Sequence, residues 1–110
     1  MSNTPTTQTT ANATPQERFK QLAAEWKEQS QWLSNTVQMA MLSPYQKIIG
    51  MGKEAIPFIL DELRREPDQW FWALEHITDE NPVASDAAGQ VRLMAQAWIE
   101  WGTKNGFMPK

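Results

Sequence analysis

Residues 70 to 72 read Trp-Phe-Trp, inside the run PDQWFWALEHIT at positions 67 to 78. The segment from about Asp68 to Thr78 is read as a helix, and on a helix successive side chains point about 100° apart. Three consecutive rings then sweep about 200° of the circumference, so no single neighbour can cover them. Either this helix is wedged through the middle of a bundle with partners on two sides, or one ring stays on the surface. Burying one ring contributes on the order of 3 kcal/mol, a large share of a small domain's net stability. At least two of the three rings are therefore expected inside, with a surface role left for the third.

The rest of the chain is helical in pattern. Thr14 can cap a helix, Pro15 suits its first position and Glu17 completes a capping box. Phe19, Leu22, Ala23, Trp26 and Leu33 follow at helical spacing, and the stripe continues through Val37 and Met41. One helix is expected from Pro15 to about Leu42, with a break allowed at Ser34-Asn35 and Trp32 off the stripe. Ser43, Pro44 and Gln46 restart the signal for a short helix that Gly50 and Gly52 can end. KEAIPFILDELRRE (53–66) turns Ile56, Ile59, Leu60 and Leu63 inward, and Pro67 and Asp68 break it. DENPVAS (79–85) is a loop. Ser85 is the expected cap of a final helix to about Trp101, which buries Val91, Met94, Ala95, Trp98 and Ile99, and Gly102 and Gly106 close the chain. No stretch alternates as a strand does.

The expected fold is thus all-α: a compact bundle of four to five helices forming a single domain over residues 15–110. Residues 1–14 are nearly free of apolar bulk and cannot offset the entropy lost on ordering, so a disordered tail is expected there.

Charge and cysteine content narrow the functions available. Ten Lys and Arg oppose thirteen Asp and Glu, for a net charge of -3. Residues 67 to 82 hold four carboxylates and no cation. A phosphate backbone is poorly received by such a chain, whereas a basic protein partner suits its acidic stretch. With Cys 0, disulfides, thiolate nucleophiles and Cys-ligated zinc all drop out. The expected location is cytoplasmic, since no secretory leader or membrane-spanning apolar run is seen.

Candidate chemistry centres on His76. Asp79 and Glu80 lie three and four residues on and would share its face in a continuing helix, as metal ligands or a base and its orienting carboxylate do. The plainer reading is a solvated polar helix end. Gly50-Met51-Gly52 is too short to cradle a phosphate and reads as a turn. Arg64-Arg65 reads as a solvated helix face beside Asp61, Glu62 and Glu66. No nucleophile motif or phosphate loop is present. No catalytic, cofactor-binding or metal-binding residue is assigned, and no cofactor is expected.

YQKIIGMGKEAIPFILDELRREPDQWFWALEHITDENPV, residues 45–83, resembles a family of small bacterial proteins, and VQMAMLSPYQ and MAQAWIEWG extend the resemblance over most of the helical chain. It carries no activity with it. In that family histidine is frequent where this chain has Ser43 and Gln69, and a small residue where it has His76, which implies that a shared histidine mechanism would not operate here. GKEAIPFILDEL with the helix after it is separately similar to one HEAT-type helical hairpin, a unit generally used for protein contact.

The functional expectation is a non-enzymatic interaction module, or a small accessory protein of antitoxin-like or mobile-element type. It would dock on a protein partner through Trp70, Trp72, His76, Asp79 and Glu80, with self-association through exposed aromatics as a further route. One rival is a nucleic-acid binder using helices 53–66 and 69–78 as a helix-turn-helix, although its recognition helix would hold no Lys or Arg. Another is a metal-dependent enzyme built on His76 with Glu75, Asp79 and Glu80.

Overall fold

The computed structural model describes residues 13–107, and the expectation of a disordered tail falls on residues outside that range except for Ala13 and Thr14. Among the described residues six α-helices form: α1 (Pro15–Ser30), α2 (Thr36–Met41), α3 (Ser43–Gly50), α4 (Ile56–Arg65), α5 (Phe71–Thr78) and α6 (Val91–Lys104). Short 3-10 turns at Gly52–Ala55 and Ser85–Ala87 complete the order, and no strand occurs among the described residues.

Local chemistry accounts for most boundaries. Thr14 and Glu17 form the capping box that opens α1, with the Glu17 N–H donating to Thr14 Oγ1 at 3.2 Å and the Thr14 N–H to Glu17 Oε1 at 3.0 Å. The single helix expected over 15–42 is divided. α1 stops at Ser30, and Asn35 accepts from the Val37 and Gln38 N–H groups at 2.8 and 3.1 Å to start α2. A short carbonyl side chain that satisfies two first-turn donors competes with continuation of the previous helix. The break resets the register: Ala40 is buried, while Val37 and Met41, expected on the inner stripe, face outward. This division raises the count above four to five.

Two further expectations change. Ser43 does not cap α3, and Gln46 instead donates from Nε2 to the Ala40 carbonyl at 2.7 Å. Ser85 opens only a 3-10 turn, after which Gly89 adopts φ 86° and α6 begins six residues later than Ser85, at Val91. That left-handed geometry is open to glycine and strained for residues with a Cβ, so Gly89 separates the turn from the helix. Beyond it the expected stripe is kept, with Ala95 and Trp98 buried and Val91, Met94 and Ile99 half-buried.

Every α-helix contributes to one buried cluster, and its centre is aromatic. Trp70 lies 4.5 Å from Trp26, 5.7 Å from Phe19 and 5.8 Å from Tyr45 between ring centroids. Trp70 and Phe71 are both buried, so the wedge expected from the triplet is realised. Two of the polar groups among these rings are used structurally, while the Trp70 indole N–H is buried without a hydrogen-bond partner. Trp26 Nε1 donates to the Met39 carbonyl at 2.8 Å, fastening α2 to α1. Tyr45 on α3 donates its hydroxyl to the Gln69 carbonyl at 2.9 Å and accepts the Ala73 N–H at 3.0 Å. α5 has no side-chain cap of its own. The Tyr45 hydroxyl takes that role from another helix, serving a first-turn donor that would otherwise be orphaned.

Candidate docking surface

The site expected from the sequence contained Trp70, and the structure removes it. Trp70 is 0 % exposed and packed on all sides by Phe19, Trp26 and Tyr45, so it cannot touch a partner. The physical reason is its place just before the first turn of α5, where its ring points into the α1/α3 junction. Trp72, two residues on, points roughly 200° away around the axis. It retains 39 % exposure.

Trp72 and His76 form one unit on the outer face of α5. Their rings stack with centroids 5.5 Å apart and planes 15° apart. His76 Nδ1 lies 2.8 Å from the Trp72 carbonyl, and because a carbonyl only accepts, Nδ1 carries the proton. His76 is exposed.

Asp79 and Glu80 follow where the helix ends. Asp79 adopts the left-handed conformation at φ 60° and closes the last turn with its N–H on the Glu75 carbonyl at 2.8 Å. Continuation of the helix through Asp79 and Glu80, which the metal reading required, does not occur. Thr78 fixes the turn instead: its hydroxyl donates to the Leu74 carbonyl at 2.7 Å and accepts the Glu80 N–H at 3.1 Å. Glu80 Oε1 in turn accepts Trp101 Nε1 at 3.1 Å. Among the described residues no three His, Cys, Asp or Glu side chains gather so as to hold a metal ion.

Trp101 is the member that local sequence reading missed. Its helical spacing from Trp98 would place both rings in the core, yet only Trp98 is fully buried. Trp101 is half-buried, its ring stacked on Phe107 at 5.4 Å and set edge-on to Trp98 at 5.3 Å. Its bond to Glu80 spans 21 residues of sequence, a separation that helical periodicity cannot report. The structure thus joins Trp72 to His76 along α5, sets Asp79 and Glu80 at the C-terminal end of that helix, ties Trp101 to Glu80 and excludes Trp70.

A second outward apolar surface lies on α2 and the turn before it. Trp32 is 86 % exposed and Met41 64 %, and Val37 shares the Met41 face one turn away. No helix of the described residues is long and apolar enough to cross a membrane. No family model, curated protein or solved structure matches the chain.

Proposed function

We propose that this protein is a non-catalytic docking module that binds a protein partner through the outer face of α5. The observation that carries the reading is the Trp72–His76 stack. A large aromatic ring, partly desolvated and held by its neighbour, is carried by a stretch, residues 67 to 82, that contains four carboxylates and no Lys or Arg. An amphipathic ring with a polar rim is the usual anatomy of a binding hot spot. The local charge favours a partner that presents lysine or arginine around an apolar pocket. The same carboxylates repel phosphate, which disfavours nucleic acid at this face.

The test is affinity capture from the native host with the tagged full chain, compared quantitatively with Trp72→Ala and Glu80→Lys. A protein retained by the wild type and depleted at least about tenfold by both variants supports the reading. Equal recovery by all three baits, or recovery of nothing specific, removes it.

Self-association is a second reading, favoured by the surface on α2. Residues 29 to 46 contain no charged side chain, although the chain carries a net charge of -3. Two copies could bring Trp32, Val37 and Met41 together without like-charge repulsion. Light scattering across a concentration series should then show a dimer that Met41→Asp dissociates. A monomer at every concentration excludes it.

A further inference from the structure

Adjacent arginines on α4 have different surroundings. Arg65 reaches Asp61 at 3.4 Å and also pairs with Glu62, which Lys27 approaches from α1 at 3.1 Å. Arg64 points about 100° away around the helix. It lines a surface groove of about 590 Å³ where the last turn of α4 runs beside the first turns of α6. Arg92 approaches the same groove from α6. Neither Arg64 nor Arg92 joins an ion pair among the described residues.

The floor between them is apolar. Leu63 is buried, Ile99 is half-buried, and Leu93 lies 44 % exposed where a surface helix usually places a polar residue. Helix stability explains only one of the two cations. Arg64 in the last turn of α4 complements the negative end of that helix, whereas Arg92 in the first turn of α6 sits beside the positive end and opposes it. A placement that costs α6 stability calls for some other use of the charge.

We propose that the α4/α6 groove is a second docking site, distinct from the Trp72 face, that receives an acidic amphipathic helix from a protein partner. Its apolar side would cover Leu63, Leu93 and Ile99, and flanking carboxylates would take the Arg64 and Arg92 guanidinium groups, whose planar forks suit carboxylate oxygens. Charge complementarity selects this occupant. A nucleic acid would gain nothing from the leucine and isoleucine floor, and two arginines make a short track for a polyphosphate. A second copy of the chain also fits poorly. Among the α-helices of the described residues only α5 has a net negative charge, from the single carboxylate Glu75, and its Phe71 and Leu74 are turned inward, which leaves Trp72 as its large apolar group on offer.

The experiment uses the full chain and a fluorescein-labelled peptide roughly sixteen residues long, about four helical turns, with leucines at helical spacing and glutamates beside them. A matched peptide carries lysine at every glutamate. Fluorescence anisotropy should show saturable binding of the acidic peptide, weakening between about 50 and 500 mM salt, and no binding of the lysine peptide. Arg64→Glu with Arg92→Glu should weaken it at least about tenfold, as should Leu93→Asp, while Trp72→Ala leaves it unchanged. These positions are exposed, and circular dichroism confirms that each variant still folds. The proposal is overturned by failure of the acidic peptide to bind, by equal binding of the lysine peptide, or by undiminished binding in the double arginine variant. It is overturned equally if duplex DNA is the probe that those arginine changes release, or if Leu93→Asp dissolves a dimer of the chain itself.

Discussion

The aromatic junction of α1, α3 and α5 and the seam between α4 and α6 both cover one helix with its neighbours, and they finish the task differently. At the junction Trp26, Tyr45 and Trp70 are wholly buried, and the indole of Trp26 and the hydroxyl of Tyr45 each reach a backbone partner. At the seam Leu63 and Ala95 are buried, yet Leu93 remains on the surface beside two arginines that join no ion pair among the described residues. Large rings that also hydrogen-bond to the backbone close a junction on three sides. Aliphatic residues between two helices close only the line of contact. Stability is therefore expected to reside in the first region, while the second leaves an open groove.

The largest expected effect breaks the junction. Trp70→Ala removes the ring shared by α1, α3 and α5 and should destabilise the fold by about 3–5 kcal/mol in urea denaturation. Leu93→Ala at the seam should change stability by less than about 0.5 kcal/mol, as surface substitutions do. Similar losses for both would mean that the seam carries as much of the fold as the junction.

Tyr45→Phe comes next. It keeps the ring but removes the acceptor for the Ala73 N–H and the donor to the Gln69 carbonyl, and is expected to cost about 1–3 kcal/mol. The same hydroxyl gives the junction a pH signature. Burial pushes Tyr45 well above the ordinary tyrosine value of 10.0, so in the folded state the phenol stays protonated where the unfolded chain has already ionised. Its contribution is complete below about pH 10 and is lost as pH rises from there. Lys27 acts in the same direction. Burial lowers its pKa, but hydrogen bonds to Glu66 and Glu62 outweigh this and leave it above 10.5. Wild type should therefore lose thermal stability on titration above pH 10, and Tyr45→Phe should lose less. An unchanged alkaline slope in the variant would show that the hydroxyl is not sealed.

How much of this was legible in the sequence depended on the range of the interactions. The all-helical class, the inward stripes of α1, α4 and α6 and the division of labour within Trp70-Phe71-Trp72 follow from periodicity, which is a local property. Which ring would remain outside was not local, because it depends on where α1 and α3 approach α5. The tertiary cap from Tyr45, the Trp101–Glu80 bond and the groove between α4 and α6 likewise join residues far apart in sequence. The break before α2 is the intermediate case. Asn35 is a recognisable cap, but a continuous apolar stripe through Val37 and Met41 competed with it on paper. Asn35→Ala should cost about 1 kcal/mol if the cap governs that boundary. No change in thermal unfolding would return the weight to the stripe.

The smallest expected effect on stability sharpens the comparison most. Trp72→Ala removes the same side chain as Trp70→Ala, two positions along the same helix segment, but from a surface stack with His76 rather than from the packed junction. An exposed aromatic pair contributes about 0.5–1.5 kcal/mol beyond the area it covers. The helix should in part recover this through alanine's higher propensity. A net loss below about 1 kcal/mol is expected, with the helical circular dichroism signal unchanged. Partner capture should nevertheless fall by the tenfold proposed for this face, because a docking ring is selected for what it meets outside the fold. If Trp72→Ala instead unfolds the chain as Trp70→Ala does, the ring belongs to the core in function as well as in neighbourhood. The carboxylates of Asp79 and Glu80 would then stand at the end of α5 without the aromatic anchor that a hot spot needs.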